Sequence, residues 1–348
     1  MPDTPRNILI IKPSALGDTI QVLPALSALR RSFPDAEISW LIRREYAPLL
    51  EGHPDLTRVV PFDRKYLGKA WYNPRAFVEL LAFLRRLHHG RFDAVFDFQG
   101  LFRTAFFARV TCCKKRFGIA DSRELAHLLY THKVQQSPDC THVVDCYMEI
   151  LRAAGISDLR VHFQLPADPQ AAAEVNELLA DHRIEPHSYV VLVPGSAHRQ
   201  KCWPAERFAA LAARLSRDHG LAALATGSPS EIPLVQRLAD VSEVPVLNLA
   251  GKTSIRQLVA LLRSAALVVS NDTGPGHIAA ALGRPLVMIF GRSNPTRVAP
   301  YGRKDCTAAI DPEGRGPAPN STDPRHAITN VTVDLVYEKV LVQLKQRA

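Results

Sequence analysis

Two doubly wound α/β domains in tandem are the fold class this sequence predicts. Apolar strand-like runs alternate with helical patterns along most of the chain, as in parallel sheets covered by helices on both faces. Each half opens on an apolar run that enters a small-residue loop and then a helix. The length, 348 residues, suits two domains of about 150–200 residues each.

In the first half, residues 7–12 form an apolar strand. The turn Pro13-Ser14-Ala15-Leu16-Gly17-Asp18 follows, and Ile20, Leu23, Leu26 and Leu29 then recur at helical spacing. Further strands are expected at residues 37–42, 58–62 and 94–98, with helices over 76–88 and after Gly100. A helical pattern over 168–182, behind Leu165-Pro166, carries the linker. In the second half, strands are expected at 189–194, 221–226, 246–249, 266–270 and 284–290. Helices are expected at 204–217, 232–239, 255–263 and 277–282. Residues 311–323, rich in Gly, Pro, Asn and Ser, read as a loop, and 331–346 as a terminal helix with a basic end. Ligands of such sheets bind beyond the carboxyl ends of the strands. Two such domains would face each other across a cleft lined by those loops.

Composition excludes several classes. Hydrophobic residues make up 47% and charged ones 22%, so the chain is globular rather than disordered. The apolar run Ile8-Leu9-Ile10-Ile11 is too short for a signal-peptide core. No run approaches the roughly 18 apolar residues of a membrane span, so a cytoplasmic protein with at most peripheral membrane contact is expected. The net charge is +9, and residues 58–124 alone hold 14 basic and 6 acidic side chains. Such a surface attracts nucleic acid, anionic lipid or a phosphorylated substrate, or is a solvated face. The six cysteines form no C-x-x-C pair, and in a reducing compartment all would be free thiols. Cys140, His142 and Cys146 lack a standard metal-ligand spacing, so no metal site is expected. Neither G-x-G-x-x-G after the first strand nor a P-loop occurs, which disfavours nicotinamide, flavin and P-loop nucleotide sites. Absence of D-x-D disfavours the metal-dependent single-domain glycosyltransferases.

Three strand-end loops carry possible chemistry. Asp272-Thr273-Gly274-Pro275-Gly276-His277 lies between a strand and an Ala-rich helix, where free backbone N–H groups attract anions. Gly274 and Gly276 would allow close approach of a phosphate, and Thr273 and His277 offer donors; the alternative is a capped turn. In the loop 195–201, Lys201 could reach a diphosphate as a point charge, or be a solvated lysine. Asp18 is either an N-cap or a general base, and capping would also hold the carboxylate in place.

Taken together, these motifs resemble glycosyltransferase family 9, the heptosyltransferases of lipopolysaccharide core synthesis. The resemblance rests on Ser14-Ala15-Leu16-Gly17-Asp18, Asp97-Phe98-Gln99-Gly100, Lys201-Cys202-Trp203-Pro204, Leu249-Ala250-Gly251-Lys252-Thr253 and Asp272 to His277, in that order. It implies a GT-B fold of two Rossmann-like domains. Residues 1–165 would bind the acceptor and 166–330 the nucleotide sugar, with the helix 331–348 packing back on the first domain. It implies inverting transfer of heptose, or a related sugar, from an ADP-sugar to an anionic glycolipid acceptor, without metal or other cofactor. Asp18 would be the base. Ser196, Lys201, Glu231, Asp272, Thr273, Gly274 and His277 would bind the donor, with Glu231, in the helix after Gly227-Ser228, on the ribose. Arg64, Lys65 and Lys69, in a loop after a strand, would bind the acceptor with Gln99 and Arg123. The enzyme would touch the cytoplasmic face of the inner membrane and bind no nucleic acid. Pro275-Gly276 departs from the bulkier residues frequent there in the family, which bears on the identity of the sugar. The alternatives are a relative acting on another surface glycan, a nucleotide-sugar enzyme of another class such as an epimerase, and a non-enzymatic nucleic-acid binder using residues 58–124.

Overall fold

The structure, a computed structural model, describes residues 4–345. It divides into two compact units between Pro166 and Ala167.

The first unit runs β1 (Asn7–Ile11), α1 (Leu16–Ser32), β2 (Glu37–Arg43), β3 (Arg58–Phe62), α2 (Arg64–Leu67), α3 (Pro74–His89), β4 (Ala94–Asp97), α4 (Phe102–Val110), β5 (Arg116–Ile119), β6 (His132–Val134) and α5 (Val143–Ala153). Its six strands are all parallel, in the order β3-β2-β1-β4-β5-β6. The central β1 has Ile8 to Ile11 fully buried, because a parallel sheet is covered on both faces. Local signals set the helix starts: Asn73 accepts from the Arg75 and Ala76 N–H groups ahead of Pro74.

The second unit runs α6 (Pro169–Asp181), β7 (Tyr189–Val193), α7 (Ala205–His219), β8 (Ala222–Ala225), α8 (Ile232–Asp240), β9 (Val246–Asn248), α9 (Ile255–Arg263), β10 (Leu267–Asn271), α10 (Gly274–Ala281), β11 (Leu286–Ile289), α11 (Pro295–Val298), β12 (Thr307–Ala308) and α12 (Val333–Lys345). Its sheet is parallel, in the order β12-β11-β10-β7-β8-β9. Both sheets therefore have the doubly wound order, with one reversal of strand order each. The reversal falls between β1 and β4 in the first unit and between β7 and β10 in the second.

Two expectations need correction. The terminal helix belongs to the second unit and not to the first: Val336, Tyr337 and Val340 of α12 are part of the core that holds Val190, Leu192 and Trp203. The part of that expectation covering residues 346–348 lies outside the described residues. Cys140 and Cys146 are not free thiols but a disulfide, with Cα atoms 5.8 Å apart, because the loop before α5 folds back over its first turns. Cys112, Cys113, Cys202 and Cys306 are free. Among the described residues, no helix is long and apolar enough to cross a membrane, and no group of three His, Cys, Asp or Glu side chains is disposed to hold a metal ion.

Candidate functional site

The loops at the two reversal points hold most of the motif residues. In the first unit, the loop after β1 leads to Asp18 and the loop after β4 carries Gln99. Asp18 is the third residue of α1 rather than its N-cap, and its carboxylate accepts from the Ala15 N–H at 3.2 Å. The side chain stays 49% exposed. Behind it lies Lys12, almost completely buried, with Nζ 3.7 Å from Asp18 Oδ2. Lys12 also donates to the Phe98 carbonyl at 3.2 Å and to the Tyr147 hydroxyl at 2.9 Å. Burial opposes its charge, but Tyr147, Asp18 and Asp97 more than offset this, and its pKa lies above the ordinary lysine value. A fixed buried cation thus faces an accessible carboxylate.

The neighbouring loop is equally tied. Gln99 Oε1 accepts from the Ser14 N–H at 3.3 Å. Asp97, fully buried, accepts from the Gln99 and Gly100 N–H groups at 2.8 and 3.2 Å and from the Tyr130 hydroxyl at 2.7 Å. Burial raises its pKa against those bonds. Lys12 carries no expectation from the sequence, and Asp97 enters there only as the first residue of a motif, with no role of its own. A charged residue closing an apolar strand was the available signal in both cases.

The basic residues lie beyond strand ends of the same sheet. Arg64 and Lys65 sit in the short helix α2, not in a loop, because Asp63 caps the turn by accepting from the Tyr66 N–H at 2.9 Å. Arg44, Glu45, Asp63, Lys65, Tyr66 and Lys69 line a shallow cavity of about 350 Å³. Arg123 donates its backbone N–H to the Gly100 carbonyl at 3.2 Å, beside the β4 loop. Arg103, in the first turn of α4, was not foreseen. Burial lowers its pKa, and the like charges of Arg64 and Arg43 add to that, so these guanidinium groups share one field.

In the second unit, Asp272 ends the β10 loop and is mostly buried. Lys201 Nζ is 2.6 Å from its Oδ2, and His277 Nε2 is 3.5 Å from Oδ1. Burial works against the carboxylate, but His277 and Lys201 outweigh it and hold its pKa well below the usual range. Thr273 is the N-cap of α10 and its side chain caps no N–H; its hydroxyl instead meets Ser270 Oγ at 3.1 Å. The first turn of α10 therefore presents backbone N–H groups next to Lys201's loop. Asn271 fixes that loop, donating to the Pro194 carbonyl at 2.7 Å and accepting from the Trp203 N–H at 3.1 Å.

Two glycines are required by packing. A Cβ at Gly276 would lie 2.7 Å from Met288 Cε and 2.8 Å from Ser270 Oγ, so the close approach of α10 to the sheet requires this glycine. A Cβ at Gly195 would collide with the Glu231 carboxylate. Glu231 precedes α8 instead of lying in it, accepting from the Ser228 N–H at 2.6 Å and Ser228 Oγ at 2.8 Å. Ser196 lies in the same β7 loop, its hydroxyl accepting from the His198 N–H at 3.5 Å.

Asn271 is a structural anchor with a measurable effect. Asn271→Ala leaves a buried N–H and a buried carbonyl unpaired, at about 1–3 kcal/mol each. A lowered urea midpoint is expected; a midpoint equal to wild type would show that the ties are not made in solution.

The model of glycosyltransferase family 9 (heptosyltransferase) matches residues 80–325, which span Asp97, Lys201 and Asp272. The chain belongs to glycosyltransferase family 9. It is therefore an enzyme, a glycosyltransferase, which sets aside the non-enzymatic nucleic-acid binder. Lipopolysaccharide core heptosyltransferase OpsX of Haemophilus influenzae is 26% identical over 312 residues, covering 88% of this chain and 85% of that one. The solved structure of the Escherichia coli heptosyltransferase WaaC with ADP superposes with a TM-score of 0.75 at 26% identity, over 97% of this chain and 99% of that one. A family 9 glycosyltransferase from Veillonella parvula superposes with a TM-score of 0.83 at 22% identity, over 98% and 97%. The fold is GT-B, two Rossmann-like doubly wound sheets, as the motifs imply.

Proposed function

We propose that this family 9 enzyme transfers heptose from ADP-heptose to a lipopolysaccharide-core-type acceptor, in one inverting displacement and without a metal ion. The observation that carries the reading is the pairing of Lys201 with Asp272 beside the first turn of α10, at the reversal point of the second sheet. That is where a nucleotide diphosphate belongs in such a sheet. The named functions of OpsX and WaaC, and the ADP bound to WaaC, agree with it.

The chemistry follows from charge. Asp18 takes the proton of the acceptor hydroxyl as that oxygen attacks the anomeric carbon. The bond from that carbon to the diphosphate oxygen breaks, and its electron pair leaves with ADP. The sugar passes through an oxocarbenium-like state. Negative charge grows on the diphosphate, where the N–H groups of α10, Thr273 and the Lys201 ammonium stabilise it. Asp272 and His277 hold Lys201 and the loop in place and reach sugar and phosphate; Ser196 and Glu231 take the phosphate side and the ribose. Arg64, Lys65, Lys69, Arg103, Arg123 and Gln99 receive the anionic acceptor. The reaction is assigned to the cytoplasmic face of the inner membrane, where a glycolipid acceptor is held.

One experiment with two arms tests this. ADP-heptose is expected to raise the melting temperature more than other nucleotide sugars, and to yield the inverted glycoside with a deacylated lipopolysaccharide-core acceptor. Lys65→Gln, Lys69→Gln and Arg123→Gln together are expected to raise acceptor KM about tenfold or more and spare donor affinity. No stabilisation by any nucleotide sugar would sink the donor assignment, and equal loss of both affinities would sink the acceptor assignment.

A further inference from the structure

The first unit carries an apolar surface that its own core does not use. α3 buries Ala76, Phe83 and Leu87. Phe77 and Leu81 stand one turn apart on the opposite side of the helix, 49% and 39% exposed, with Val78 beside them at 63%. Just before the helix, Trp71 and Tyr72 pack edge to face with centroids 4.6 Å apart, and Trp71 is 85% exposed. Five large exposed apolar side chains within eleven consecutive residues mark an interaction surface. Phe102 and Phe106 are also exposed, one turn apart on α4, which packs beside α3.

The surrounding charge identifies the occupant. Between residues 64 and 89 there are six lysines and arginines and one acidic residue, Glu79. Arg85 continues the stripe of Phe77 and Leu81 by another turn, and exposed Lys65 and Lys69 precede the aromatic pair. Indole and phenol rings, aliphatic side chains and a basic surround are the composition of a surface that sits among anionic headgroups. A protein partner of matching charge would need an acidic rim and an apolar face; a bilayer of anionic phospholipid supplies both without further design.

We propose that this face of the first unit docks on an anionic phospholipid bilayer. Trp71, Tyr72, Phe77, Val78 and Leu81 enter the boundary between headgroups and acyl chains, and the lysines and arginines around them pair with lipid phosphates. The inference deepens the glycolipid reading and rests on it for its purpose, since an acceptor whose lipid stays in the membrane has to be met there.

The protein carries its own probe. Of its three tryptophans, Trp40 and Trp203 are 0% exposed, so Trp71 alone reports from the surface. Vesicles of phosphatidylethanolamine and phosphatidylglycerol, added to the full chain without donor or acceptor, are expected to shift the emission to the blue. Brominated acyl chains are expected to quench it. Trp71→Phe abolishes both signals and still sediments with the vesicles. Trp71→Ser/Phe77→Ser/Leu81→Ser is expected to lower vesicle partitioning about tenfold or more. These side chains are exposed, and an unchanged melting temperature verifies that the variant folds. Phosphatidylcholine vesicles are expected to bind about tenfold less than the anionic ones, or weaker still. No blue shift and no sedimentation with anionic vesicles, or equal binding to phosphatidylcholine, would overturn the proposal. So would a dimer in sedimentation velocity that the triple substitution dissociates, because a second copy would then cover the face. The thermal shift with ADP-heptose reads the second unit alone and separates a failure here from a failure of the transferase reading.

Discussion

An Asp18→Asn enzyme is expected to transfer heptose about 10²–10⁴-fold more slowly than wild type while binding ADP-heptose with unchanged affinity. The amide keeps an oxygen that can accept from the Ala15 N–H, so the start of α1 survives. What disappears is the proton acceptor, and with it the anion facing Lys12. The pair is long and Asp18 is half exposed, but Lys12 is buried and is left with Tyr147 and Asp97 to offset its burial, so some stability is lost as well. Loss of rate with unchanged donor affinity is therefore the signature of a base. Single-turnover rates at saturating donor and acceptor, with donor affinity from calorimetry, measure both sides. Near-normal turnover in Asp18→Asn would transfer the base role to another group.

Lys201→Met is expected to slow turnover by about 10²–10³-fold, the usual scale for losing one preorganised donor to a developing negative charge. A second effect follows from Asp272. Its pKa is held below the ordinary carboxylate range by His277 and Lys201 against burial. A depressed folded-state pKa contributes stability above the unfolded value near 4, and that contribution is lost as pH falls through the folded value. Removing Lys201 shrinks it, at about 1–3 kcal/mol near neutral pH. The gap between wild type and variant narrows as pH falls below 4. Adding Asp272→Asn to Lys201→Met is expected to restore much of the stability and none of the rate. Recovery of rate in the double variant would mean that Lys201 serves only to neutralise Asp272.

Most of the fold was legible because its determinants are local. β3 and α9 have the bounds that their apolar spacing predicts, and the parallel order follows from strand-helix alternation. The elements missed were short or diluted. β5 is four residues, one of them Arg116 and one Gly118, and β6 is His132-Lys133-Val134. Their pairing is decided by neighbouring strands rather than by their own pattern. α5 is different: Tyr147, Ile150 and Leu151 are periodic, and only the cysteines around its start drew attention away.

The site was legible where charge follows a strand and obscure where the partner is remote in sequence. Lys201 and Asp272 could each be marked as anion-friendly, but their 2.6 Å contact spans 71 positions and depends on Asn271 tying the β7 loop to β10. Lys12 was invisible as a partner of Asp18 for another reason. A lysine ending a strand reads as solvated, and it takes Tyr147 from α5, with Asp18 and Asp97, to make its burial tolerable. Gly276 and Gly195 are required by the Met288, Ser270 and Glu231 side chains that pack against them, which the local pattern does not show.

The Trp203 indole N–H donates to the Val331 carbonyl at 2.8 Å, and Trp203 shares its core with Val336, Tyr337 and Val340 of α12. The order of manufacture on the ribosome is built into that bond. The first unit is one contiguous stretch and has its whole sheet once residue 166 has emerged. The loop that carries Lys201 is synthesised early in the second unit, yet its support at Val331 comes 128 positions after Trp203. A chain that stops before Val331 has every residue assigned to the donor and lacks the bracket that holds them. Translation through Val331 and α12 is thus a condition of a properly held donor loop, and a product that stops earlier would carry the first unit intact beside an unsupported second one.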